Sequence, residues 1–217
     1  MIRSSRKQGA IERLRLQSPE NSAILDIDER GPVSAKSYQG SQHIDTMKRP
    51  AERAKQELDY GRRGKGYVFG ALWETTGDCF TPCSPRRTKV NFLDFLCWVD
   101  AQLPAGLEHV YAIMDNLDMH HSDDLLFFLW QHPRWEMISQ PKYAAYLNLI
   151  EPWWKTLRSL ALKGHRFETW QEVVQAVEKA TAYWNAHKHP FVWGRRRRHR
   201  PPQIRSAFSF KVKVMRI

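Results

Sequence analysis

Short apolar runs separated by polar stretches occur along most of the chain, and most of these runs have the length of a β-strand. Runs of branched and aromatic residues predict strands at 22–29, 67–73, 110–114 and 135–138. The Gly31-Pro32 pair predicts a turn after the first strand, so residues 33–38 are expected to return as a separate strand. Phe80 starts a weaker strand that nearby prolines shorten.

Apolar residues spaced three and four apart predict the helices. A basic amphipathic helix is expected before Ser18-Pro19, a packing helix at 90–99, and another helix from Ser122 onward. Thr169-Trp170-Gln171-Glu172 has the pattern of a capping box and predicts a last helix that reaches about residue 185.

A further helix is expected to begin near Asn148, whose side chain is suited to cap a helix N-terminus. Pro152 falls in the first turn, where its missing N–H is tolerated. The buried face would consist of residues at helical spacing, namely Leu149, Trp153, Leu157 and Leu160. Glu151 is then a carboxylate in the first turn.

Along the chain, the predicted strands of the first part are followed by a second part in which strands and helices alternate. This is the order of the RNase H-like fold, so the predicted class is α/β with a mixed five-stranded sheet flanked by helices. That domain is expected to span residues 22–190. Residues 1–21 would form a basic N-terminal arm or residual linker, and residues 191–217 a basic C-terminal tail.

Composition favours a folded protein with an anionic partner. Of the 217 residues, 42% are hydrophobic and 12% aromatic, which argues against wholesale disorder. The chain has 34 Lys and Arg against 23 Asp and Glu, a formal net charge of +11. Nucleic acid is the commonest partner of so basic a chain.

The cysteines indicate a reducing compartment. Cys79, Cys83 and Cys97 make no disulfide framework, and no signal peptide or membrane-spanning run is recognisable, so we expect a cytoplasmic, nucleoid-associated protein with no membrane partner. Cys79 and Cys83 could form half of a zinc site, but no matching pair follows them.

Carboxylates follow two of the predicted strands and open one predicted helix. Asp26 and Asp28 are two residues apart and share one face of their strand, whereas Glu29 points to the other face. Asp115 comes directly after an apolar run, at the carboxyl end of a strand, where open α/β sheets hold their ligands. Asp115 and Glu151 therefore have the pattern of ligands for a catalytic metal site.

Four motifs in order resemble the DDE-superfamily endonuclease domain of bacterial insertion-sequence transposases related to the mariner group. They are Asp28-Glu29 after an apolar strand, Asp115-Asn116 with His120, Pro141-Lys142-Tyr143 before Asn148-Leu149-Ile150-Glu151, and Tyr183-Trp184-Asn185 before Pro190-Phe191-Val192-Trp193. The resemblance covers roughly residues 11–200.

The resemblance implies that Asp28, Asp115 and Glu151 are the catalytic and metal-ligating residues, with Mg²⁺ or Mn²⁺ as the cofactor. Two such ions, about 3.5–4 Å apart, can activate a water or a 3′-hydroxyl and stabilise the leaving oxygen. Hydrolysis would cut the strands of the element, and transesterification would join them to target DNA. The implied partners are the element ends, the target DNA and a second copy of the chain in a homodimeric DNA complex.

Full-length relatives carry an N-terminal helix-turn-helix region, and almost none of it fits into the first twenty or so residues. We therefore expect a catalytic domain without its specificity domain. Whether a separate helix-turn-helix subunit is supplied in trans is an open alternative. The alternative function is a catalytically silent remnant or partner subunit that binds DNA nonspecifically through its basic surface.

Basic residues in a loop and in the tail are candidate DNA contacts, although each could be merely solvated. These candidates, with His120 near Asp115, are Arg62, Arg63, Lys65, Arg195, Arg196, Arg197, Arg198 and Arg200. Lys36 is one of several residues that would extend the same surface. His120 could equally be a histidine satisfied by hydrogen bonds.

Other polar and aromatic residues near the carboxylates have structural explanations. Asp26 could be a fourth ligand, but an exposed carboxylate or one at a strand end is the simpler interpretation. Glu29 is expected to be structural, and Asn116 and Asn148 to hold turn and cap geometry. Trp153 and Trp154 are expected to pack in the core, with stacking on DNA as the minor alternative.

Overall fold

The structure is a computed structural model that describes residues 2–38, 63–115, 123–141 and 145–188. Its helices are Ile2–Leu16 (α1), Lys89–Gln102 (α2), Asp123–Gln131 (α3), Ile150–Leu157 (α4) and Trp170–His187 (α5). Its strands are Ser22–Ser34 (β1), Lys65–Trp73 (β2), Cys79–Phe80 (β3), Cys83–Ser84 (β4), His109–Met114 (β5) and Trp135–Ser139 (β6).

One mixed sheet contains all of these strands. Its order is β3-β2-β1-β5-β6, and the two-residue strand β4 pairs with β2 beside β3. The strand β1 is antiparallel to β2 and parallel to β5, and β5 is parallel to β6. The predicted α/β class, with antiparallel strands first and strand-helix alternation second, is confirmed, and β4 brings the strand count to six.

The prediction of a turn at Gly31-Pro32 is wrong, because β1 continues through this pair to Ser34. Both halves of β1 pair with β2: Arg30 lies opposite Val68, and Val33 lies opposite Gly66. The strand therefore accommodates one extra residue as a β-bulge, which is a position where a proline without an N–H is tolerated. Residues 33–38 do not form a separate strand.

Alternation along the strands divides the apolar residues between the two faces of the sheet. One face packs against α2 and α3, and its largest core residues include Leu25, Ile27, Phe69, Phe95 and Phe128. The other face packs against α4 and α5, and its core includes Val68, Leu72, Trp153, Trp154 and Val177. A smaller cluster joins Ile11 of α1 to Ile24, Ile113 and Leu147. The sheet is thus flanked by helices on both faces.

The helix that carries Glu151 differs in two details from its prediction. It begins at Ile150, and Asn148 acts from outside the helix, where its side-chain oxygen accepts a hydrogen bond from the Ile150 N–H at 3.3 Å. Leu160 is 39% exposed rather than buried. The reason is a π-helical turn at Arg158–Leu162, which shifts the register so that Ala161 and Leu162 are buried instead.

The remaining helices follow their predicted signals. Thr88 caps α2, and Thr169 caps α5 by accepting a hydrogen bond from the Glu172 N–H at 3.3 Å. Ser122, the expected cap of α3, lies outside the described residues. All three cysteines are free. In the described part of the chain, no helix combines the length and the apolar character needed to cross a membrane.

Candidate active site

Asp28 lies on β1, in the centre of the sheet. As the alternation predicts, it shares a face with Asp26, and this face is the one covered by α1 and α4. The two carboxylates have different partners. Asp26 is fully buried and accepts a hydrogen bond from the Arg15 guanidinium at 2.9 Å. Asp28 Oδ2 accepts a hydrogen bond from the Trp154 indole N–H at 2.8 Å.

Arg15 also explains why Asp26 is a structural carboxylate. Its guanidinium donates to Glu74 Oε1 at 2.8 Å and to the Leu147 carbonyl at 2.8 Å, in addition to Asp26. This network joins α1 to β1, to the end of β2 and to the chain that leads into α4. Asp26 is thereby engaged by a protein cation. The expectation of an exposed or strand-end carboxylate is wrong, because Asp26 is fully buried within β1.

A glycine opposite Asp28 permits the close approach of α4. Gly70 is the β2 partner of Asp28 in the sheet register. A Cβ atom at Gly70 would lie 2.4 Å from Trp154 Cη2 and 2.7 Å from Ile150 Cδ1, far inside van der Waals contact. Because residue 70 has no side chain, the indole of Trp154 can lie against β2 and reach Asp28.

Glu151 is in the first turn of α4, three residues before Trp154, so the two side chains share one helix face. Asn148 ties the start of this helix to β1, because its Nδ2 donates to the Ile27 carbonyl at 3.2 Å. Glu151 and Asp28 consequently line the same open cleft of about 490 Å³. Residues separated by more than a hundred positions meet at this cleft.

The surroundings of Asp28 disfavour the ionised form of its carboxyl group. Burial raises the pKa of Asp28 to about 6, although the hydrogen bond from Trp154 lowers it, and the charges of Glu29 and Glu151 add to the rise. Burial and the neighbouring Glu74 carboxylate also raise the pKa of Asp26, against the effect of Arg15. A divalent cation between Asp28 and Glu151 would offset the repulsion between them, so these oxygen donors fit Mg²⁺ or Mn²⁺.

Asp115 directly follows β5, the parallel neighbour of β1. The last paired residues of this ladder are Asp26 and Ile113, so Asp28 and Asp115 each lie two residues beyond the ladder on adjacent strands. Asp115 does not line the cleft that Asp28 and Glu151 share. Among the described residues, no three acidic, histidine or cysteine side chains converge closely enough to hold a metal ion in common.

Two predicted DNA contacts are within the described residues, and so is Lys36, which is exposed and was expected to extend the same surface. Arg63 forms an ion pair with Glu168 at 2.8 Å, and Lys65 begins β2 with an exposed side chain. The other predicted contacts, Arg62, His120, Arg195, Arg196, Arg197, Arg198 and Arg200, lie outside the described residues, as does Asn116. Their roles stay predictions.

Trp153 and Trp154 are core residues, as expected, with 3% and 2% of their surfaces exposed. Trp153 packs against Trp184, with ring centroids 5.0 Å apart. The hydrogen bond from Trp154 to Asp28 was not foreseen from the sequence. The one available signal was spacing, because Trp154 lies three residues after Glu151 and so shares its helix face.

Two arginines of the cleft were also missed. Arg30 lies two residues after Asp28 on β1, and Arg158 lies seven residues after Glu151 along α4 and its π-helical turn. Each therefore occupies the same face as its carboxylate. The signal in the sequence was the same periodicity, which places each cation on the face of its carboxylate.

Comparison with known proteins finds a matching family model and several similar proteins. A family model described as DDE superfamily endonuclease matches residues 27–174, which include Asp28, Asp115 and Glu151. The insertion element IS630 uncharacterized 39 kDa protein of Shigella sonnei is 24% identical over 123 residues, which are 57% of this chain and 36% of that protein. The chain thus spans well under two thirds of the curated relative.

Solved structures of Mos1 transposase share the fold. The paired-end complex with the left transposon end has a TM-score of 0.61 at 15% identity and covers 88% of this chain and 55% of that one. The isolated catalytic domain of Mos1 mariner transposase has a TM-score of 0.53 at 14% identity and covers 88% and 83%. Since the family model matches more than half of the sequence, this chain belongs to the DDE superfamily of endonucleases.

Proposed function

We propose that this chain is the catalytic domain of a transposase that cuts and rejoins DNA phosphodiester bonds with divalent metal ions. The observation that carries the proposal is the pairing of Asp28 with Glu151 in one open cleft, with the Asp28 carboxylate oriented by Trp154. Neighbouring carboxylates that oppose each other's charge in an accessible cleft are well suited to a divalent cation.

The relatives support the same reading. The Shigella sonnei relative is a protein of an insertion element. Mos1 transposase has been solved as a paired-end complex with Mn and as a paired-end complex with Mg, with TM-scores of 0.62 and 0.55 against this chain. We extend the use of Mg²⁺ or Mn²⁺, and of transposon-end DNA, from those proteins to this one as part of the proposal.

In this proposal Asp28, Asp115 and Glu151 hold the metal. Bound Mg²⁺ or Mn²⁺ would activate the attacking water or 3′-hydroxyl and stabilise the leaving oxygen of the phosphodiester. Trp154 holds the Asp28 carboxylate in one orientation, and Asn148 holds the start of α4 against β1 so that Glu151 faces the same cleft. Asp115 would join them from the end of the adjacent strand, β5.

The proposed partners are DNA at the element ends and at the target, with a second copy of the chain in the DNA complex. Such a reaction would take place on chromosomal DNA, at the nucleoid. Arg62, Arg63, Lys65, His120 and the Arg195–Arg200 region are proposed to contact the DNA backbone, and end recognition by a helix-turn-helix unit is proposed to come from outside residues 22–190.

Cleavage of supercoiled plasmid in Mg²⁺ or Mn²⁺ tests this function. We expect nicking by the wild type, loss of nicking with EDTA, and at least about 100-fold slower nicking by Asp28→Asn, Asp115→Asn and Glu151→Gln. Asp94→Asn is the matched control, because Asp94 is an exposed carboxylate on α2, away from the cleft. The Asp115→Asn variant should still bind DNA.

Two results would contradict the proposal. Nicking that survives all three substitutions would show that another site is responsible. DNA binding without nicking by any version would instead favour the alternative function, a catalytically silent remnant or partner subunit.

A further inference from the structure

The cleft that holds Asp28 and Glu151 has a second, basic half. Along β1, Asp28 and Arg30 are two residues apart and therefore share a face. Along α4 and its π-helical turn, Glu151 and Arg158 are seven residues apart and share a helix face. Each row runs from a carboxylate to a guanidinium, and all four residues line the same cleft.

Tyr38 and Lys36 line the same cleft as Arg30 and Arg158. Burial raises the pKa of the Tyr38 hydroxyl, and the hydrogen bond to Ser34 and the charges of Arg158 and Arg30 oppose that rise. Lys36 Nζ lies 5.4 Å from the centroid of the Tyr38 ring. Three cations therefore share this cleft with the Tyr38 ring.

The position of Tyr38 in the cleft is fixed by backbone and side-chain hydrogen bonds. The Tyr38 N–H donates to the His165 carbonyl at 2.8 Å, and the Gly164 N–H donates to the Tyr38 carbonyl at 3.0 Å. The Tyr38 hydroxyl donates to the Ser34 carbonyl at 2.8 Å. The chain after β1 is thus attached to the turn after α4, so the two rows of side chains keep their relative position.

The three cations have no carboxylate partner within the described residues. Other arginines do: Arg63 pairs with Glu168 at 2.8 Å, and Arg134 pairs with Asp100 at 2.6 Å. By contrast, Arg30, Lys36 and Arg158 take part in none of the ion pairs of the described chain, and Lys36 and Arg158 are exposed. Their charges therefore remain available to an anion that enters the cleft.

We propose that Arg30, Lys36 and Arg158 bind backbone phosphates of a DNA strand lying in the cleft, next to the phosphodiester that the carboxylate half acts on. Guanidinium groups match the geometry of phosphate oxygens. Two residues along β1 span about 7 Å and seven along α4 about 10 Å, so phosphates held here would be close neighbours of the reacting one. This inference rests on the proposed function, and it assigns the residues that position the substrate.

The test is DNA binding without cleavage. In an Asp28→Asn background we would compare Arg30→Gln/Lys36→Gln/Arg158→Gln with a control triple variant, Arg86→Gln/Lys89→Gln/Lys179→Gln. The control removes the same charge from exposed residues that do not line this cleft. Fluorescence anisotropy with a labelled duplex would give the affinity between 50 and 200 mM salt.

For the cleft triple variant we expect about tenfold or greater loss of affinity and a salt slope smaller by about 2–3, because each phosphate contact contributes about 0.9 to that slope. The control triple variant should change the slope much less. Arg30→Lys/Lys36→Arg/Arg158→Lys should restore most of the binding, which separates loss of charge from loss of fold.

Three outcomes would each overturn the assignment: equal losses of affinity in the two triple variants, unchanged affinity in the cleft triple variant, or no DNA binding by the Asp28→Asn parent. The assay needs no cleavage, so its outcome is independent of whether the wild type nicks DNA. The two proposals can fail separately. If the cleft triple variant loses DNA binding but the wild type never nicks DNA, the phosphate site is supported and the proposed function is not.

Discussion

The indole N–H of Trp154 donates a hydrogen bond to Asp28 Oδ2 at 2.8 Å, between residues 126 positions apart in the chain. A buried tryptophan of the core thereby reaches a carboxylate of the candidate active site. The packing of α4 therefore sets the geometry of the candidate site, since any shift of α4 against the sheet would move both Glu151 and the Trp154 donor to Asp28.

Trp154→Phe should weaken metal binding. The ring is kept in the core, but Asp28 loses a donor that lowers its pKa, so its pKa rises further above about 6 and protons compete better with metal. We expect the Mn²⁺ concentration at half saturation, followed by electron paramagnetic resonance of free Mn²⁺, to rise several-fold at pH 6.5 and less at pH 8.

Trp153→Phe is the control for this experiment. Trp153 is equally buried, but its indole nitrogen has no hydrogen-bond partner in the described structure. Both substitutions should lower the free energy of unfolding by about 1–3 kcal/mol through lost packing. An equal loss of Mn²⁺ affinity in the two variants would show that packing alone matters.

The raised pKa of Asp28 should make the metal-free protein less stable as the pH rises from about 4 to 6.5. In this window the folded state binds more protons than the unfolded state, because the pKa of Asp28 is about 6 when folded and 3.8 for an unperturbed aspartate. Asp28→Asn removes this effect. With EDTA present, we expect the variant to gain up to about 3 kcal/mol over the wild type above pH 6.5.

Urea unfolding at pH 4 and at pH 7.5 would measure the change. The two proteins should differ little at pH 4, where Asp28 is protonated in the folded state. A constant difference at both pH values would mean that the Asp28 carboxylate is not perturbed by its burial.

Gly70→Ala should disturb both stability and the site. The new Cβ would lie 2.4 Å from the Trp154 ring and 2.7 Å from Ile150, so α4 must move away from β2. We expect a loss of about 1–3 kcal/mol in the free energy of unfolding, measured in urea, and slower nicking.

Gly9→Ala tests the same chemical change without the contact. Gly9 is inside α1, and beyond the neighbouring residues and the backbone of that helix no described atom lies within 4 Å of the position of its added Cβ. Alanine favours a helix over glycine by about 0.5–1 kcal/mol, so this variant should be slightly more stable. A Gly70→Ala protein as stable as the wild type would contradict the close approach of α4.

Arg15→Met should be the most destabilising of these substitutions. It removes the cation from a buried network and leaves Asp26 and Glu74 without their ion pair, at a cost of about 3–5 kcal/mol. Because Arg15 lowers the pKa of Asp26, its removal raises that pKa further, and the loss of stability should be larger at pH 8 than at pH 5.

Arg13→Met provides the comparison on the same helix. Arg13 is exposed, and its Nε donates only to the Gly9 carbonyl at 3.1 Å. Urea unfolding of this variant should differ from the wild type by less than about 0.5 kcal/mol. Similar losses for the two arginines would argue that α1 contributes through general charge rather than through the buried network.

The order of strands and helices could be predicted from the sequence, because it depends on local periodicity. Apolar runs located β2, β5 and β6 to within a few residues, and the capping pattern at Thr169 located the start of α5. The alternation of Asp26 and Asp28 followed from strand geometry alone. The family resemblance could also be recognised from the sequence, because its motifs are short local patterns that occur in a fixed order.

Features that depend on contacts between distant segments were decided only by the tertiary structure. The Gly31-Pro32 pair has the local pattern of a turn, but pairing with β2 on both sides keeps β1 continuous as a bulged strand. Three features arise where α4 lies across the sheet: the partner of Asp28, the need for glycine at Gly70, and the cleft that Arg30 and Arg158 share. Sequence spacing determines which face a side chain occupies, whereas packing determines what that face meets.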